Sequence, residues 1–256
     1  MSYFIKVTFF SLILFTQIAF ATNYLISYPR SGLHWTLYQL VSLSHKAACQ
    51  GNFSYHYWDR DVLHNFGEYP NPNNILLYTS HVLHDSTNIS STDKLILLIR
   101  DYKECLPRNI GYDIDRMSSI ISLDPNYTRL ENSYDVGFAY FVNLYKFNEF
   151  EGEKLIIYYE DLVVNPKKVI TNVLDFLNVT PINLNEFYQE LIYHKKKCLE
   201  RYRVQGGSKS RGRDIHFHKK KLGPRLIKTL DNLVKTHHGL LWENYLKRYE
   251  MKIFPK

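Results

Sequence analysis

The sequence predicts an α/β fold, a three-layer sandwich with a central parallel sheet. Four short apolar runs, Asn23–Tyr28, Ile75–Thr79, Lys94–Ile99 and Lys154–Tyr159, have the unbroken character of parallel strands covered on both faces. Apolar residues recur at helical spacing over 33–45, 133–150, Pro166–Leu177, 184–199 and 224–249. Strands alternating with helices build a parallel sheet clad on both sides. No repeat or low-complexity segment interrupts the pattern, so one domain is expected over residues 22–256.

Residues 1–21 read as a targeting segment. Lys6 precedes an apolar run from Val7 to Phe20, and Ala19-Phe20-Ala21 fits a small-x-small cleavage site. The run is shorter than the roughly twenty residues a membrane span prefers. A signal peptide is therefore expected, with a signal anchor that tethers the chain to a membrane as the alternative. A buried first strand or helix is the third option, because the next strand begins about two residues after the cut. A functional signal sends the chain into the secretory pathway or out of the cell; otherwise the chain is cytoplasmic. Sequons at Asn52, Asn88, Asn126 and Asn178 permit glycosylation there. A chain rich in Asn, Ser and Thr makes such triplets by chance, and they decide nothing.

The first strand stops at Pro29, turns at Gly32 and feeds the helix over 33–45. The second follows the turn Tyr69-Pro-Asn-Pro-Asn-Asn74 and runs into Thr79-Ser80-His81, with His84 close behind. The third ends in Arg100-Asp101, and the fourth in Glu160-Asp161-Leu162. Residues 50–72 and 111–132, rich in Tyr, Asn and Asp, read as variable loops.

Composition narrows the class. The chain has 256 residues, 45% of them hydrophobic, with 32 Lys+Arg against 25 Asp+Glu for a net +7. That excludes a disordered tail, a collagen-like chain and a disulfide-stapled miniprotein. Cys49, Cys105 and Cys198 allow at most one internal disulfide, and no CxxC spacing suggests a metal site. Between His194 and Arg225, twelve Lys and Arg stand against Glu200 and Asp214, a local +10 that leaves −3 for the rest. Such a concentration means an anionic ligand, an anionic surface or a solvated basic loop.

Ligands of open α/β sheets sit beyond the carboxyl ends of the strands. Tyr28-Pro29-Arg30-Ser31-Gly32-Leu33-His34-Trp35 joins the first strand to a helix there. Gly32 lets the backbone turn tightly, the free N–H groups of 31–35 and the helix dipole favour an anion, and Arg30 adds a charged fork. Trp35 offers a face for a base. The loop is not GxxxxGK[ST], so an ordinary nucleoside triphosphate is not indicated.

YPRSGLHW resembles the 5′-phosphosulfate loop of the PAPS-dependent sulfotransferases, written [FY]-P-[KR]-S-G-x-x-W. Leu95-Ile-Leu-Leu-Ile-Arg100-Asp101 resembles the strand and arginine of that family's 3′-phosphate site. Tyr158-Tyr159-Glu160-Asp161-Leu162, followed by Asn165-Pro166 and the helix to Phe176-Leu177, is similar to its YEDL segment. The resemblance covers roughly residues 23–180 well and the C-terminus loosely. It implies a P-loop-NTPase-like α/β fold, with 3′-phosphoadenosine 5′-phosphosulfate (PAPS) as co-substrate and no metal. It also implies that Arg30 contacts sulfate and the phosphate bridge while Ser31 and Gly32 supply donors. Trp35 and Tyr159 would contact adenine, and Arg100 would bind the 3′-phosphate.

Several positions depart from the pattern. Leu33 and His34 stand where many members have threonines, and Arg108 where a serine is common. Arg108 can reach a phosphate or sit on the helix surface. The family's C-terminal R-x-G-x-x-G loop is matched only vaguely, by Ser208-Lys-Ser-Arg211-Gly212-Arg213. The catalytic base should follow the second strand, where soluble members have K-T-H; here it is Thr79-Ser80-His81, without the lysine. Sulfuryl transfer needs the acceptor hydroxyl's proton removed as the S–O bond forms, work that suits histidine. His81 is the expected base and His84 the reserve. Glu160 is a further candidate, expected to anchor structure near the nucleotide, and Asp101 is expected to cap the turn after its strand.

The implied reaction is in-line transfer to a hydroxyl on a small molecule, glycan or peptide, without a covalent enzyme intermediate and without nucleic acid as partner. Three alternatives stand. A P-loop kinase-like phosphotransferase would need a Walker lysine and a magnesium-binding Ser/Thr where Leu33, His34 and Trp35 lie. A non-catalytic polyanion-binding module would use 194–225. A degenerate sulfotransferase scaffold would have lost turnover.

Overall fold

A computed structural model describes residues 21–50, 53–59, 62–66, 74–83, 89–123, 139–191 and 222–250. Seven strands form one sheet: β1 (Asn23–Ser27), β2 (Ala47–Gln50), β3 (Phe53–Asp59), β4 (Val62–Phe66), β5 (Ile75–Ser80), β6 (Lys94–Ile99) and β7 (Glu153–Tyr158). Their spatial order is β4-β3-β2-β5-β1-β6-β7. β2, β5, β1, β6 and β7 run parallel, and β3 and β4 extend the sheet antiparallel beyond β2.

The central strands alternate between two cores, as a period of two requires. Ile26, Tyr28, Leu95, Leu97 and Ile99 pack on one face with α2 (Tyr102–Ile110), α3 (Ile114–Ser122), α4 (Ala139–Glu149) and α8 (Pro224–His237). Leu25, Ile96 and Leu98 pack on the other with α1 (Leu33–Ser44), α6 (Pro166–Phe176) and α7 (184–191). A short helix, α5 (Tyr159–Val164), joins β7 to α6.

Local chemistry sets the helix starts. Asp101 caps α2 by accepting the Lys103 N–H at 2.9 Å, Asp113 caps α3 through Arg116 N–H at 3.1 Å, and Asn165 caps α6 ahead of Pro166. α1 is buried at Leu33 and from Thr36 to Ser44. Its polar side chains turn inward: Thr36 Oγ1 donates to Gly32 O and Gln39 Nε2 to Trp35 O, both at 3.2 Å. Buried polar groups are thereby satisfied.

Several expected elements are corrected. The central sheet is parallel as expected, but 50–72, expected as loop, holds the antiparallel strands β3 and β4. Residues 111–132 likewise contain α3. The fourth strand ends at Tyr158, so Tyr159-Glu160-Asp161-Leu162 opens α5. The helix expected over 224–249 breaks at His238, whose backbone leaves the helical region, and resumes as a short helical run over Gly239–Tyr249. Tertiary contacts of that histidine decide the break. His238 Nε2 donates to Ile121 O at 2.6 Å, Nδ1 accepts from the Tyr145 hydroxyl at 3.3 Å, and the ring stacks on Phe141 at 4.2 Å.

His238 is almost wholly buried, and burial pushes its pKa down to about 4, against the opposing pull of the Ile121 carbonyl. The unfolded chain binds its proton near the ordinary value of about 6.5. Folding stability should therefore be full above that value and fall as pH drops towards 4, by about 3 kcal/mol from this group. Asp101 works in the opposite direction, because burial lifts its carboxyl to about 7. The measurement is thus a difference: urea unfolding of wild type and His238→Gln at neutral and acid pH. The acid loss should shrink in the variant; equal losses would place the sensitivity elsewhere.

Candidate functional site

β5, β1 and β6 are neighbours at the centre of the sheet, and their carboxyl ends deliver three segments to one place. After β1, the turn closes with Ser31 N–H donating to Tyr28 O at 3.1 Å. Two residues in it have left-handed backbone, Arg30 at φ 72° and Gly32 at φ 98°. An arginine there costs on the order of 1 kcal/mol, so the surroundings must hold it. Its carbonyl accepts from Arg100 Nη1 at 3.5 Å, while its side chain stays exposed. Ser31 is fully buried, and its hydroxyl has no partner.

Gly32 is required by a neighbour as well as by its φ. A Cβ at this position would lie 2.4 Å from Cδ2 of Tyr159 and 2.6 Å from its Cε2. The same ring carries the Arg100 guanidinium 4.4 Å from its centroid. Arg100 follows β6, its carbonyl accepts from the Tyr140 hydroxyl at 2.8 Å, and its Nη2 donates to Glu104. Its Nε is buried without a partner. Arg108, in the last turn of α2, donates to the same Glu104 oxygen at 3.3 Å, with only 15% of its side chain exposed. Burial, and then the charge of Arg100, press its pKa below the ordinary arginine value.

Glu160 is occupied by the protein. One oxygen accepts the Asp101 N–H at 3.1 Å and the other the Tyr249 hydroxyl at 2.8 Å. It struts the end of β6 against the C-terminal run. Asp161 does similar work, pairing both oxygens with Arg248, whose guanidinium lies 3.9 Å from the Tyr158 ring centroid.

His81, just past β5, reaches across to β1: its Nδ1 lies 2.8 Å from Ser27 O. A carbonyl only accepts, so Nδ1 carries a proton, and in the neutral form of the ring the lone pair is on Nε2. Asn143, buried on α4, fixes the segment. It donates to His81 O at 2.9 Å and accepts the Leu83 N–H at 2.8 Å.

The remaining predicted residues divide. Leu33, the first residue of α1, buries its side chain in the core. His34 is exposed in the first turn of α1. The Trp35 ring stacks on Tyr38, 5.9 Å between centroids at 13°. His84, Arg211, Gly212 and the basic stretch from 192 to 221 lie outside the described residues, as do Cys198, Asn52, Asn88 and Asn126. Cys49 and Cys105 are free and buried. Among the described residues, no cluster of three His, Cys, Asp or Glu side chains could hold a metal, and no helix is long and apolar enough to cross a membrane. Glu104 and Asn143 were not singled out from sequence. Spacing of four residues on each side, to Arg100 and to Arg108, was the signal for Glu104; Asn143 had none.

The chemistry of the donors suits a phosphorylated anion. Two buried donors without partners, Ser31 Oγ and Arg100 Nε, flank a helix N-terminus, with Arg30 exposed beside them. The His81 imidazole, bonded through Nδ1 to the Ser27 carbonyl, stands one strand away.

No curated protein sequence matches the chain. Among solved structures, it is similar to the mouse sulfotransferase SULT7A1 complexed with PAP, at 14% identity and a TM-score of 0.47, covering 90% of this chain and 88% of that one. The profile of the sulfotransferase domain matches residues 23–242, most of the chain. The protein belongs to the sulfotransferase domain family.

Proposed function

We propose that the chain transfers the sulfuryl group of PAPS to an acceptor hydroxyl, with His81 as general base. The observation that supports this is the Nδ1–H bond from His81 to Ser27 O, which ties the ring to the strand leading into the turn that bears Arg30 and the unpartnered Ser31 hydroxyl and leaves Nε2 as the acceptor of the neutral ring. Nε2 takes the acceptor's proton as its oxygen forms a bond to sulfur, and the bond from sulfur to the 5′-phosphate oxygen breaks. Arg30 and the N–H groups opening α1 stabilise the charge that grows on that leaving oxygen. Arg100 and Arg108 receive the 3′-phosphate, and 3′,5′-ADP leaves. Most of the acceleration comes from positioning and electrostatics. The acceptor is a hydroxyl on a small molecule, glycan or peptide. Residues 1–21 serve as signal peptide or anchor.

Calorimetric titration with 3′,5′-ADP, beside ATP, tests the nucleotide half of the proposal. Wild type should bind 3′,5′-ADP well and ATP weakly. Arg30→Ala and Arg100→Ala should each weaken 3′,5′-ADP by about 10- to 100-fold, the worth of a charge-assisted hydrogen bond to phosphate. A folded protein that ignores 3′,5′-ADP would overturn it.

A further inference from the structure

We infer that Glu104 is the resident counter-ion of the Arg100–Arg108 pair, holding both guanidiniums in place and yielding them to a phosphate dianion. This rests on the nucleotide site proposed above. One carboxylate oxygen accepts from Arg100 Nη2 and from Arg108 Nη2. The arginine side chains are 13% and 15% exposed, whereas that of Glu104 is 32% exposed. The carboxylate is therefore the member of the trio that can swing to water at least cost. Arg100 cannot follow it, being held against the Tyr159 ring and the Arg30 carbonyl.

The exchange has a chemical consequence. A monoanionic ligand group only replaces the charge it displaces, while a phosphate monoester, dianionic above its second pKa of about 6, outcompetes it. The trio thus selects a terminal phosphate over a phosphodiester or carboxylate. It also sets an upper limit on affinity, because Glu104 stays close enough to repel the bound dianion.

This predicts the reverse of what a mere prop would give. Glu104→Gln keeps the length and an acceptor oxygen but removes the charge. Its affinity for 3′,5′-ADP should rise about tenfold at low salt, with a steeper fall as salt is added. Affinity for 5′-AMP, which lacks the 3′-phosphate, should stay within about twofold, since screening leaves little charge effect on the distant 5′-phosphate. Weaker or unchanged 3′,5′-ADP binding in the folded variant overturns the inference. Should Glu104→Gln fail to fold, Arg108→Ala carries the test: discrimination between 3′,5′-ADP and 5′-AMP should drop at least about tenfold, and unaltered discrimination overturns it. If wild type binds 3′,5′-ADP no better than 5′-AMP, the nucleotide proposal itself falls. Inorganic pyrophosphate then replaces the nucleotide: tighter binding to Glu104→Gln than to wild type upholds the counter-ion role, and equal or weaker binding ends it.

Discussion

Gly32→Ala should cost the protein both stability and the nucleotide binding proposed for it. The left-handed backbone of Gly32, φ 98°, penalises any Cβ, and here that Cβ would sit 2.4 Å from the Tyr159 ring. The ring cannot retreat freely, because the Arg100 guanidinium covers it at 4.4 Å. Backbone strain and overpacking together should destabilise the fold by about 2–4 kcal/mol. Displacing Tyr159 also displaces Arg100, so 3′,5′-ADP affinity should fall by at least about tenfold. Gly111→Ala is the control for backbone strain without a clash: φ is 89° and ψ 171°, a conformation essentially confined to glycine, and nothing lies within 4 Å of its Cβ. It should show a backbone penalty alone, about 1–3 kcal/mol, with binding intact. Urea denaturation and titration of both variants decide the matter. Equal destabilisation with binding retained in both would mean the Tyr159–Arg100 stack yields, and the close approach at Gly32 has no functional consequence.

The parts of the fold that were legible in sequence are those whose side chains alone declare their surroundings. β1, β5, β6 and β7 are continuous apolar runs because the sheet is covered on both faces. β2 was not legible, since Ala47-Ala48-Cys49-Gln50 has small residues where strands usually carry branched or aromatic ones. α2 was hidden by Pro107 inside it. A proline in the interior forfeits a hydrogen bond and normally argues against a helix. Burial of Tyr102, Cys105 and Leu106 on the sheet offsets that loss. The break at His238 has only a weak local signal, the glycine that follows it, while the hydrogen bond from His238 to Ile121 comes from a distant part of the chain.

The same division runs through the candidate site. Arg30 and Gly32 could be picked out because a turn after a strand constrains its own residues, whereas Ser31 as a donor and Arg100 were implied by the sulfotransferase resemblance. What surrounds them is tertiary. That Tyr159 serves as the floor under both Gly32 and Arg100, rather than only as a face for a base, depends on where α5 begins. That both Glu160 oxygens are spent on Asp101 and Tyr249 follows from the path of the C-terminal run. Spacing along the chain says nothing of either.

His81→Ala should lower the turnover of sulfuryl transfer by about 10²- to 10⁴-fold, the usual contribution of a positioned base, and leave 3′,5′-ADP binding within about twofold, a change worth less than one ordinary hydrogen bond. The split follows from geometry: His81 bonds to the backbone of β1, whereas the proposed phosphate donors lie in the turn, just past β6 and in α2. Radiolabelled PAPS with a panel of phenols, sugars and tyrosyl peptides supplies the assay. Asn143→Ala provides the second arm. It removes the bonds to His81 O and Leu83 N–H, so it should cost about 1–3 kcal/mol of stability from stranded buried groups. Turnover should fall less than in His81→Ala, because the imidazole remains but is no longer held. If His81→Ala keeps its turnover, the proton goes elsewhere. Glu160 is poorly placed to take it, with both oxygens already accepting hydrogen bonds, and His84 becomes the residue to replace next.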